Sequence, residues 1–271
     1  MTTQSDLRTL RVLLFTGIMF LLVLMSPLLT APFAGTEMYG LVGTALFFLN
    51  FGLIYIIVLV FLRLEGRPSL SEVGFEIEDS RMIPHLAIGA VAGTLAAGLV
   101  VLIAMVFGGN LRPIDQVTVD LIVGEIVITA PTAIFEEIAY RGYMMPRMVD
   151  IWGKGSGILI GSLFFSLFHF GWWVPLGSVP LVPVLIFILN LTIGGILLSL
   201  SYYWSDKRLW VPIGFHFMWN MLAYILFPVY PRETVVLPEI FQIEWGVTTI
   251  VGFLFGLSII WMLITQYGRK R

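Results

Sequence analysis

The sequence predicts an all-α, polytopic membrane protein with about eight transmembrane helices, and three observations carry that prediction. Of its 271 residues, 58% are hydrophobic and only 12% charged, with a mean hydropathy of +0.96, outside the range of soluble domains. The apolar residues gather in runs long enough to cross ~30 Å of hydrocarbon at ~1.5 Å per helical residue. Lysine and arginine collect in alternate connections between those runs, as the positive-inside rule describes.

The runs fall at residues 10–31, 41–62, 84–107, 120–146, 157–171, 180–204, 209–228 and 246–266. The first follows Arg8 and Arg11 and mimics a signal peptide, but it is long enough to cross the bilayer, and we read it as an uncleaved span. The whole chain, 1–271, reads as one transmembrane domain with its polar core at about 120–228. One polar insert, residues 63–81, separates the second and third runs; its apolar Leu70, Val73, Phe75 and Ile77 suit a segment lying along the membrane interface. Gly89-x-x-x-Gly93, Gly157-x-x-x-Gly161 and Gly252-x-x-x-Gly256 are expected to be packing seams where helices approach closely. Cysteine is absent, which removes disulfides and thiolate nucleophiles.

Charge asymmetry orients the chain. Twelve of the 15 Lys and Arg residues fall on one side if both termini share it, against Arg112 and Arg232 opposite and Arg141 within the membrane. Both termini are therefore expected to be cytoplasmic, in the cell membrane if the source is prokaryotic.

The polar residues inside the runs carry the chemistry. Glu136, Glu137 and Arg141 lie within six residues of one apolar segment, where an ionised group costs about 2.5–3.5 kcal/mol by insertion scales. Glu137 and Arg141 are spaced i,i+4 and can pair, whereas Glu136 points about 100° away and has Tyr140 at i+4. The paired carboxylate holds structure and the unpaired one is free to act as a base. Two of the three histidines lie in other spans, as Phe165-x-x-x-His169 and His216-x-x-x-Asn220. At ~1.5 Å per residue, Glu136, His169, His216 and Asn220 all lie at about 11–20 Å from one end of their spans, so antiparallel helices bring them level.

A carboxylate, two imidazoles and an amide at one depth suggest hydrolysis. Glu136 can take a proton from water, with an imidazole sharing it, and the His216–Asn220 pair can donate to an oxyanion. Glu136, His169 and His216 also match a catalytic zinc set with an open position, although the His-Glu-x-x-His signature is missing. The preferred reading has no cofactor, with zinc as the alternative. Ser166 and Ser199 lack a nucleophile elbow, and no phosphate loop or nucleic-acid patch is present. Glu125, a further intramembrane acid, reads as a local polar contact in preference to part of an access path.

Together, Glu136-Glu137-x-x-x-Arg141, Phe165-x-x-x-His169 and His216-x-x-x-Asn220 resemble the three signature motifs of the CAAX protease and bacteriocin-processing enzyme family of intramembrane proteases. The lead-in Leu209-Trp-Val-Pro-Ile-Gly-Phe and the Gly194-Gly195 pair add to the resemblance. It implies an eight-helix fold around a cavity open to the cytoplasm. It also implies peptide-bond hydrolysis, with Glu136 and His169 activating water, His216 and Asn220 stabilising the oxyanion, and Glu137 and Arg141 as positioning residues. Both glutamate-type and metallo-type chemistry go with the family. The implied substrate is a membrane-anchored protein or peptide, prenylated or not, with no nucleic acid involved. Two other classes compete: a non-catalytic immunity or scaffold protein that binds a peptide, and a proton-coupled transporter. Intact motifs count against the first, and the lack of related halves against the second.

Overall fold

The computed structural model describes residues 4–169 and 179–269, with side chains from residue 6 onward. The last residues of the expected fifth span, together with Lys270 and Arg271, lie outside the described residues. The described residues contain helices and no strand. Each apolar run becomes helical: α1 (Gln4–Thr30), α2 (Met38–Leu64), α3 (Met82–Phe107) and α4 (Val119–Glu137) come first. A π-helical turn (Ile138–Met144) then leads into α5 (Met145–Trp152), followed by α6 (Lys154–Leu167), α7 (Leu181–Trp204) and α8 (Trp210–Leu226). A short α9 (Pro238–Phe241) and α10 (Thr248–Arg269) complete the chain.

Five of these, α1, α2, α3, α7 and α10, are long and apolar enough to cross a membrane. The expected count of eight is therefore not reproduced by length and composition. The segment 120–146 is polar at its acids and changes helix type at Ile138, while α6 and α8 have only 14 and 17 residues.

Small residues set the helix spacing. At Gly89 an added Cβ would lie 2.0 Å from the Val211 carbonyl oxygen, and at Gly214 it would lie 2.3 Å from the Leu86 carbonyl oxygen. Helices α3 and α8 thus touch backbone to backbone, which no larger residue permits. The seams at Gly157 and Gly252 behave alike, against Val149 and against Ala96 and Val100 respectively.

The two ends of the bundle differ. At the end holding both chain termini, the 63–81 insert folds onto the helices as a cap. Val73 is fully buried and Phe75 packs on Trp210 at 4.9 Å, while Ile77 stays exposed. The Gly74 carbonyl accepts from the Leu209 N–H, and Gly74 itself has φ +82 with the Lys207 carbonyl where a Cβ would stand. Arg81 joins Asp79 (3.1 Å) to Asp206 (3.0 Å), Arg208 reaches Asp79 (3.0 Å), and Arg147 donates to Glu65 (3.0 Å). Burial pushes the Asp79 carboxyl up, but Arg81 and Arg208 outweigh it and hold the group below the usual carboxylate range. At the other end, the Arg112 N–H donates to the Leu226 carbonyl (2.7 Å) and its guanidinium to those of Ile225 and Phe227. That cation caps the C-terminus of α8.

Candidate active site

Helix α4 begins at Thr118, whose hydroxyl accepts from the Leu121 N–H, with Asp120 in the first turn. It carries Pro131 one turn before the acid pair, so one backbone hydrogen bond is lost there. It ends at Glu137, where the π-turn starts. Widened turns of this kind recur at functional sites.

The two neighbouring acids part as their 100° offset requires. Glu137 is fully buried, and its Oε1 accepts from Arg141 Nη1 at 2.9 Å, the expected i,i+4 pair. The same oxygen lies 2.8 Å from His216 Nδ1. One carboxylate thus ties α4 to α8 and fixes the imidazole with Nε2 away from it. Arg141, buried as well, lies over the Phe165 ring at 3.9 Å. Glu136 instead lines a cavity. Its Oε2 is 3.9 Å from His216 Nε2 and has no hydrogen-bond partner among the described residues.

His169 sits at the end of the α6 segment with Nδ1 2.9 Å from the Phe165 carbonyl, the distance of a backbone hydrogen bond. Phe165 is the hub of this wall: its ring meets His169 edge-on at 4.9 Å and His216 at 6.4 Å. Asn220 lies one turn beyond His216 on α8 and lines the same cavity. Ser166 and Ser199 both donate to carbonyls of their own helices.

The cavity has a volume of about 470 Å³ and brings Glu136, His169, His216 and Asn220 to one space. Glu137 and Arg141 form the layer beneath it. Glu125, read from the sequence as a local polar contact, also lines it. The cavity lining runs from Glu136 and His216 to Tyr224, Val229 and Arg232, and the described ends of the chain lie at the opposite, capped end.

Glu244, between α9 and α10, was missed by sequence reasoning. It lies in no motif, and its place in the cavity depends on a loop folding back over α7. The Asn190 amide donates to the carbonyls of Glu244 (2.7 Å) and Gly246 (2.9 Å), and the Glu244 N–H donates to Thr249 Oγ1 (2.8 Å). These bonds hold Glu244 at φ +68, an uncommon conformation for a residue with a Cβ. The one signal in the sequence was an isolated acid two residues before an apolar run.

Burial, together with Glu136, pushes the Glu244 carboxyl up to about 7, against opposing pulls from His216 and Trp219. The folded protein therefore keeps this proton where the unfolded chain, near the ordinary glutamate value of 4.5, has lost it. Stability must fall as pH rises from about 4.5 to about 7, then level off. In thermal scans across that window, wild type is expected to lose Tm relative to Glu244→Gln. Parallel curves would remove Glu244 as a titrating group.

Zinc needs three ligands converging on one point about 2.0–2.2 Å from each N or O donor. Among the described residues, no three His, Cys, Asp or Glu side chains converge in that way. Glu136, His169 and His216 as placed do not fit a zinc ion.

A carboxylate and two imidazoles thus line one cavity within a bundle that includes membrane-length helices. Residues 118–222 match the family model described as type II CAAX prenyl endopeptidase, Rce1-like, a stretch that contains all six residues from Glu136 to Asn220 named above. That match supports an intramembrane endopeptidase acting on a membrane-anchored protein. No curated protein matches the chain.

Proposed function

We propose that the chain hydrolyses a peptide bond in a membrane-anchored protein or peptide by a glutamate-type mechanism. The observation that supports this best is the division of labour between adjacent acids: Glu137, fully buried, uses its Oε1 for both Arg141 and His216, while Glu136 lines the cavity with its Oε2 3.9 Å from His216 Nε2. In this reading Glu136 takes a proton from water, and the hydroxide attacks the carbonyl carbon. His169, with Nδ1 held by the Phe165 carbonyl, orients that water through Nε2. A His216 carrying hydrogens on both ring nitrogens gives one to Glu137 and turns the other, on Nε2, toward the oxyanion. The Asn220 amide is the second donor. As the tetrahedral intermediate collapses, the C–N bond breaks and Glu136 passes its proton to the leaving amine. Glu137 and Arg141 act as positioning residues.

The test is cleavage of a panel of membrane-tethered peptides by purified protein, with and without a strong chelator. Cleavage that persists under chelation is the expected result. Cleavage lost on chelation and restored by zinc alone would move the site to the metallo-type reading, and a chain that binds the peptides without cutting them would be a scaffold.

A further inference from the structure

We infer that Glu244 is a substrate-contacting residue of this cavity, its carboxyl hydrogen-bonding the main chain of the bound peptide beside the bond that is cut. The inference rests on the peptidase reading above and adds a residue from outside the three motifs.

The fold does not need this side chain. The loop is fixed through its backbone: the fully buried Asn190 amide donates to the carbonyls of Glu244 and Gly246, and the Glu244 N–H donates to Thr249 Oγ1. The neighbouring residues supply the packing. Ile243 and Trp245 are each 3% exposed, and the Trp245 ring stacks on Phe187 at 4.1 Å and meets Tyr230 at 5.1 Å. A glycine at 244 would make the same three hydrogen bonds without strain at φ +68. Glutamate there adds two costs, a Cβ in the left-handed region and a carboxyl withdrawn from water. Residues kept in such conformations cluster at working sites.

What the side chain meets is the site. Glu244 lines the same space as Glu136, His169, His216 and Asn220, and it keeps accessible surface where Ile243 and Trp245 keep almost none. Among the described residues, the groups that act on its carboxyl are His216, Trp219 and Glu136. The first two belong to the turn of α8 that ends at Asn220, and the third is the base. A peptide entering this space gives up water at each N–H and C=O, and every one left unpaired is costly. Much of the wall cannot pair them, since the side chains of Phe165, Leu191, Leu198, Phe215 and Phe253 present only carbon. Glu136, His169, His216 and Asn220 are engaged with water and the oxyanion. Glu244 is placed to pair the peptide groups next to them. Because its proton is held to about pH 7, the carboxyl can donate to a peptide carbonyl and accept from a peptide N–H.

Glu244→Gly and Glu244→Gln separate a contact from a structural part. Binding is read on the full-length protein with a fluorescein-labelled member of the membrane-tethered panel, in the Glu136→Gln background so that no peptide is consumed. Cleavage and the thermal midpoint are read with Glu136 in place. Glu244→Gly is expected to melt at or above wild type and to bind the peptide ~10-fold or more weakly, as loss of a partner in a dry site implies. It should raise KM more than it lowers kcat. Glu244→Gln, which copies the neutral acid, should recover most of the lost binding. If the glycine variant does not accumulate, Glu244→Asn, which also tolerates positive φ and carries a shorter amide, gives the same readings. Unchanged binding in the glycine or asparagine variant overturns the inference. So does a melting temperature well below wild type, which would make the side chain a structural one, or a glutamine variant that binds as weakly as the glycine one. A protein whose binding depends on Glu244 but which never cleaves keeps this contact and loses the peptidase reading. One that cleaves with unchanged KM as Glu244→Gly keeps the peptidase reading and loses this contact.

Discussion

Replacing Glu136 by glutamine is expected to abolish most hydrolysis while leaving the fold intact. The amide keeps the size of the side chain and cannot accept the proton, and loss of a general base typically lowers the rate by ~10²–10⁴. The side chain faces the cavity, where its Oε2 meets only His216 Nε2, at 3.9 Å. Removing its charge therefore strands no partner, and the thermal midpoint in detergent should be unchanged. Peptide binding should also survive. Loss of binding together with cleavage would make Glu136 a substrate contact and not the base.

Glu137→Gln, one residue away, is expected to fail by a different route. Its carboxylate is the common acceptor for Arg141 and His216, 2.9 and 2.8 Å away, with no exposure to solvent. Breaking a buried pair by removing one partner costs ~3–5 kcal/mol, because the remaining charge is left uncompensated. The variant should melt well below wild type, and cleavage should fall because His216 loses its orientation. The double variant Glu137→Gln/Arg141→Met separates the two effects. With no stranded guanidinium, it should recover part of the lost stability while cleavage stays low. Stability fully retained in the single variant, or activity restored in the double one, would contradict this role for Glu137.

Some of this was legible in the residues alone. Hydropathy decided the membrane class, since apolar runs of this length have no other stable destination. Helical periodicity separated Glu136 from Glu137 and paired the latter with Arg141, because i,i+4 neighbours share a face whatever the surrounding fold. Spacing likewise put Phe165 beneath His169 and Asn220 one turn from His216. These are local facts about one helix each, fixed by 3.6 residues per turn.

What lay beyond one helix needed the tertiary structure. The Glu137–His216 contact joins residues 79 apart, and no periodicity reports which nitrogen of His216 meets the carboxylate. The insert, expected to rest at the interface, became a cap because Val73 and Phe75 found core partners at the ends of the π-turn and α8. Glu244 entered the cavity through a loop held at positive φ by Asn190 and Thr249, a conformation decided by hydrogen bonds from two other segments. The capped end also followed from packing: the close approach of α3 to α8 at Gly89 and Gly214, and the insert folded over the buried Glu137–Arg141 layer, are contacts between segments that the periodicity of one helix does not report.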